Sequence, residues 1–357
     1  MISRRAFIAG SASTAALLAA DRADADSQGD ARAQARAALV AHPPPGFVPM
    51  SAPGRVVRVT AANTLQPNGL WPKADVARAM LERAMAELTG KSDLGEAFAR
   101  FVHPNDRVAI KPNGIAGQKG ATMATNKELI LAVVKGVMDA GVPASNIVIY
   151  EQWQRFMAGT RVTDDAGVID SAFPAGIRAV VHKNEDAVME EILVASKKTK
   201  FVRPFTEATA VINVTQIKDH AICGYTGAMK NLTHGSIINP QEFHAHLASP
   251  QIAKLFAQDI VQSRVRLHVT DGFKLIYDEG PLDTNKKRRV PHEAVYVSTD
   301  PVALDVIGWG VVESHRKDNN LPSLKDVGRE PGYIRVAGEL GLGLYDKNAI
   351  RLREVRI

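Results

Sequence analysis

One cysteine, Cys223, is all that a chain of 357 residues contains. A lone thiol closes no disulfide, so stability has to come from a core and, if the chain is exported, from a bound ligand as well. Aromatic residues are scarce too, at 6%. The formal charge of +6 is not gathered into a patch. Its basic runs, "KKTK" from Lys197 to Lys200 and "NKKRR" from Asn285 to Arg289, lie in polar stretches that read as solvated loops. Nucleic-acid binding needs clustered cations interleaved with aromatics, and it is not expected here. The mild excess suits a small anionic ligand or a membrane surface equally well. No stretch reaches eighteen apolar residues, which argues against an integral membrane protein. What remains is an ordinary globular composition, 45% hydrophobic and 23% charged, long enough for one large domain or two moderate ones.

The first residues have an order of their own. In "SRRAFIAGSASTAALLAA", paired arginines Arg4 and Arg5 precede an Ala-rich apolar stretch too short to span a bilayer. "ADA" at Ala23 to Ala25 then offers small residues for cleavage, with Ala20 as an earlier alternative. This resembles a twin-arginine export signal over residues 1–25. It implies passage through the twin-arginine translocase and a periplasmic or otherwise exported location. Residues 26–54 read as an Ala- and Pro-rich spacer, because "HPPPGFVPMSAPG" removes backbone donors too often for regular structure. The folded domain is expected over residues 55–357.

Within that domain "RVVRVTA" reads as a strand and "PKADVARAMLERAMAELTG" as an amphipathic helix stopped by Gly90. "DRVAIKPNG", "TNKELILAVVKGVMDAG" and "NIVIYE" make a strand–helix–strand unit, with Thr125 and Glu128 expected to form a capping box. Further β-branched runs, "GIRAVVH", "TAVINVT", "RVRLHVTDG" and "EAVYVS", alternate with helical candidates. The expectation is an α/β fold with a mainly parallel sheet flanked by helices, in one lobe or two. Ligands of such sheets bind at the carboxyl ends of the strands, where Lys111, Glu151, Lys218, His220 and Asp271 are expected.

Reactive side chains crowd one stretch, "IKDHAICGYTGAMKNLTHGS". Four of the ten histidines, His220, His234, His244 and His246, lie between residues 220 and 246. Imidazole serves both as metal ligand and as general base near neutral pH. Lys230 follows a Gly-Tyr-Thr-Gly turn, where an amine can hold an anion or become covalently modified. Cys223 is the weaker candidate ligand, since isolated thiols pack as small hydrophobes. Asp300 reads as a helix cap.

Taken in order, "VAIKPNG", "VINVTQIKDH", "GAMKNLTHG", "VTDGF", "DEGP" and "STDPVALD" resemble the domain-of-unknown-function family 362, over roughly residues 55 to 315. Many members carry an iron–sulfur module, and one cysteine departs from that pattern, so no such cluster is expected. "DHAICGYTGAMK" is also similar to a segment of nickel-pincer lactate racemases, with a catalytic histidine, a cofactor-bearing lysine and a nickel-ligating histidine. These roles would fall on His220, Lys230 and His246, and they imply a transition metal or a nickel-pincer-like cofactor. Where those racemases carry a second catalytic histidine, this chain has Trp153 and Gln154. The resulting expectation has His220 and Lys230 catalytic, and Lys111, Asn113 and Lys218 on an anionic substrate. His246, with His234 and His244, would be at the metal. The chemistry would be a redox or isomerase reaction on a small hydroxy or carboxylic acid, and a non-catalytic periplasmic metal- or anion-binding protein is the alternative.

Overall fold

Short β-branched runs with every residue buried call for a sheet covered on both faces. The structure, a computed structural model, describes residues 39–117, 121–182 and 191–357. The expected export signal, the spacer through residue 38 and both cleavage positions lie outside the described residues. Strand β1 (Arg55–Thr60) opens the sheet, followed by β2 (Val108–Lys111), β3 (Ile147–Glu151) and β4 (Arg178–Val181). A separate hairpin comes next, β5 (Ile192–Val194) with β6 (Lys197–Thr199). The main sheet resumes with β7 (Ala210–His220), β8 (Gly224–Thr226), β9 (Val265–Ile276), β10 (Arg289–Ser298) and β11 (Arg351–Arg356). Its order is β11-β1-β10-β9-β7-β2-β3-β4, with β8 folded back antiparallel on the end of β7. Apart from β8, only β10 runs against its neighbours. The fold is α/β with a mainly parallel sheet flanked by helices.

Two groups of helices cover the sheet. Ala74–Thr89, Leu94–Phe98 and Lys127–Asp139 pack together over a core that includes Val57, Ile110, Ile149 and Ile212. Ala228–His234, Ser249–Phe256, Pro301–Asp318 and Gly332–Glu339 form the other group. Residues 41–357 make one compact unit, so the choice between one lobe and two resolves to one. The described end of the spacer is docked, not loose: Gly54 donates to Asp300 and Met50 to the Arg100 carbonyl.

Several local expectations are corrected. The helix after β2 begins at Lys127 with Asn126 as its N-cap residue, and no capping box forms. Thr125 Oγ1 instead accepts from Asn113 N and donates to the Val214 carbonyl, while Arg161 takes the Glu128 carboxylate with both fork nitrogens. Tertiary partners outbid the local cap because a bidentate guanidinium is the stronger donor. The expected helix over Ser249–Gln262 breaks into Ser249–Phe256 and Asp259–Gln262. Asp271 falls inside β9, not at its end. Asp300 does cap Pro301–Asp318, accepting from Ala303 N.

The direction of chain travel changes between β7 and β2: β2, β3 and β4 progress one way across the sheet and β7 with β9 lie the other. Lys111, Glu151 and His220 are the last residues of β2, β3 and β7. They therefore meet at a topological switch point, the place where open α/β sheets take ligands.

Candidate functional site

A cavity of about 170 Å³ opens at that point, lined by Lys111, Asn113, Glu151, His220, Thr226, Lys230, His234 and His244, with Trp153 and Arg155 among the remaining wall residues. The volume is close to that of an engineered cavity that accepts benzene, so a ligand of about half a dozen non-hydrogen atoms is the natural size.

The floor is a bonded lattice. Lys111 Nζ donates to Glu151 Oε1 at 2.8 Å and to the Pro112 carbonyl at 2.6 Å. Glu151 also accepts from Gly114 N and Gln152 N. Lys218 Nζ donates to Asn113 Oδ1 (2.6 Å), the Ile115 carbonyl (2.8 Å) and the Met123 carbonyl (3.2 Å). An ammonium has three donors, so Lys218 is fully committed. Asn113 Nδ2 passes on to Asn231 Oδ1, and Asn231 Nδ2 to Asn213 Oδ1. Lys111 and Asn113 thus line the cavity as bonded wall, and Lys218, wholly buried and not among the lining residues, holds the loop after β2 from behind.

Lys230 differs. It sits in the first turn of Ala228–His234, a helix whose start is held by Asp305: Oδ1 accepts from Ala228 N and Oδ2 from Met229 N. The side chain is 5% exposed. Among the described residues no hydrogen bond ties its Nζ and no carboxylate stands near; burial lowers its pKa, and the one charge that would favour the ammonium is the Cys223 thiolate. That thiolate does not form readily, since burial pushes the thiol up to about 11. Thr226 also lines the cavity, with its Oγ1 buried and without a partner among the described residues.

Three imidazoles surround this amine. The His220 and His244 rings lie nearly parallel with centroids 5.7 Å apart, and His234 meets His244 edge-on at 4.8 Å. Burial and then the Lys230 charge hold His220 and His234 well below their usual pKa, and His244 at about 4. All three are neutral at pH 7. His234 has both nitrogens engaged, Nε2 with the Phe243 carbonyl and Nδ1 with Thr233 Oγ1.

His246 does not join them. It lies in an irregular run, Pro240–Ala248, where His246, Leu247 and Ala248 successively adopt left-handed φ of 53°, 58° and 55°. Each such residue costs about 1–2 kcal/mol relative to the right-handed form. The excursion leaves His246 exposed and outside the cavity. The structure does not bring His246 into the cavity with Lys230, and among the described residues no three His, Cys, Asp or Glu side chains are grouped to hold a metal ion. With His246 outside, the donor set that the nickel-pincer resemblance implied is not assembled at this cavity among the described residues.

Fold and site define an α/β protein with a small-molecule cavity at the switch point of a mainly parallel sheet, built around a buried amine and three neutral imidazoles. The chain belongs to the DUF362 family, described as a domain of unknown function, which matches residues 108–310. No curated protein matches it. Among solved structures, the lactate racemase apoprotein from Thermoanaerobacterium thermosaccharolyticum is similar at 12% identity and a TM-score of 0.38, over 72% of this chain and 57% of that one. This chain thus spans less than two thirds of the racemase's length. At that identity and score the likeness assigns no residue a role. Among the described residues no helix is long and apolar enough to cross a membrane.

Proposed function

We propose that the chain is an enzyme that takes a small hydroxy- or oxo-carboxylic acid into this cavity, binds its carboxylate on Lys230 Nζ and moves protons on it through the adjacent histidines. The observation that carries this is the bare amine. A largely buried lysine that lines the cavity, with no protein acceptor and no counter-charge among the described residues, is suited to a ligand that supplies the charge. The non-catalytic anion-binding alternative would use the same amine but has no need of three neutral imidazoles beside it.

Export belongs to this proposal as well, supported by Arg4, Arg5 and the Ala-rich stretch after them. Calorimetric titration with hydroxypyruvate and L-lactate tests the binding. Wild type binds one or both, and Lys230→Met weakens binding at least about 30-fold, equivalent to about 2 kcal/mol for an unpaired buried charge. Equal affinity in the variant would sink the proposal.

A further inference from the structure

The two parallel rings differ in which nitrogen carries hydrogen. His220 Nδ1 receives the backbone N–H of Ile222 at 3.1 Å and of Cys223 at 3.4 Å. A ring nitrogen that accepts cannot carry a proton, so the neutral His220 ring holds its hydrogen on Nε2. His244 Nδ1 lies 2.9 Å from the Pro240 carbonyl, which can only accept. Its hydrogen is on Nδ1, and Nε2 is a bare lone pair. Both residues line the cavity. The cavity wall therefore holds one imidazole set to donate and a second set to accept, side by side. Sandwiching a substrate between them would need about 7 Å, two van der Waals contacts of about 3.5 Å each, and 5.7 Å is too short. Acid and base approach the substrate from the same side.

We propose that His244 is the general base and His220 the electrophile of a single pair, acting on a small carboxylate with adjacent hydroxyl-bearing and carbonyl carbons and interconverting its two positional isomers. This rests on Lys230 binding the carboxylate. His244 Nε2 takes the proton from the hydroxyl-bearing carbon. That C–H electron pair becomes the C=C bond of an enediolate, and the carbonyl π pair moves onto oxygen, where His220 Nε2–H stabilises it. A neutral imidazole is suited to polarise a carbonyl in this way. The proton then returns from His244 to the former carbonyl carbon, and the hydroxyl proton passes from one oxygen to the other through His220 Nε2. One C–H bond and one O–H bond break and one of each forms, so no oxidant or reductant is needed. The bound carboxylate also offsets the Lys230 charge that, after burial, depresses His244. Inversion at an unactivated carbon such as that of lactate is not this chemistry: it needs groups on opposite faces and a stronger acidifying centre.

The test is hydrogen exchange in D2O with hydroxypyruvate, followed by proton NMR at its hydroxymethyl carbon, with binding measured in parallel by calorimetry. Wild type is expected to bind and to accelerate exchange. His244→Ala is expected to bind within a few-fold of wild type, showing an intact cavity, and to lose exchange at least about 100-fold. Binding without exchange in wild type, or wild-type exchange in His244→Ala, overturns the assignment and leaves carboxylate binding by Lys230 standing. Exchange of the L-lactate α-proton at a comparable rate also overturns it. Failure of wild type to bind hydroxypyruvate overturns this inference, and failure to bind L-lactate too removes the binding reading with it.

Discussion

Lys218 and Lys230 are both buried, yet one is bonded at three oxygens and the other, among the described residues, at none. Sequence assigned Lys218 to substrate because it ends a strand next to histidines. Its partners, Asn113 and the Ile115 and Met123 carbonyls, come from another loop that no local pattern connects to it. Lys218→Met is expected to leave those buried acceptors unmatched and to destabilise the fold by about 3 kcal/mol or more, read as a lower urea midpoint. Lys230→Met is expected to leave the fold stable or make it slightly more so, because a lone buried amine is removed. Lys230 also sets a pH signature for binding. Burial lowers its pKa in the free protein, and a carboxylate in the cavity raises it, so the complex binds more protons than the free state. Affinity should rise as pH falls from the ordinary lysine range, with calorimetry in buffers of different ionisation enthalpy showing proton uptake that Lys230→Met abolishes.

Helix Ala228–His234 is the element that presents the amine, and its seven residues could not persist alone. Two glycines let it fit. A Cβ on Gly227 would collide with the Asp305 carboxylate and the Tyr225 ring, and one on Gly235 would run into the Lys111 side chain. Gly227→Ala is expected to cost about 1–3 kcal/mol by overpacking and to weaken hydroxypyruvate binding, because Asp305 must let go of Ala228 N and Met229 N. The next element explains why residue spacing misled. "HAH" invites a shared role for His244 and His246, but Ala245 between them is extended and His246 itself opens the left-handed run, and only His244 lines the cavity. His246→Ala should therefore leave binding unchanged within error, and a tenfold loss would restore it to the site.

Across the whole molecule, neutrality of buried groups sets the response to acid. His220, His234, His244, His268 and His292 all have pKa values depressed first by burial. Unfolded, each would take a proton near pH 6.5, so their contribution is present above that value and is lost as pH falls below it. Asp271, raised by burial to about 6, and Asp305, raised to about 7, act in the opposite sense between about pH 4 and 7, since the folded state then holds the extra proton. His315 is likewise depressed and Asp219 likewise raised, each first by burial, so among the described residues six histidines stand against three carboxylates and the histidines stay ahead. Urea midpoints should fall between pH 6.5 and 5, and an unchanged or rising midpoint would refute that balance. Replacing Arg4 and Arg5 together by lysine should retain the chain in the cytoplasm of an exporting host, read by fractionation. The α/β class, the strand–helix–strand unit, the Asp300 cap and the gathering of His220 and Lys230 in one stretch were determined by the sequence itself, because they depend on periodicity, turn residues and local concentration of side chains. Only the tertiary structure decided that Lys218 is a brace, that His246 stays outside and that His244 faces His220 with the complementary tautomer. Those outcomes depend on which backbone oxygens and N–H groups reach each side chain, and distant strands and loops supply most of them.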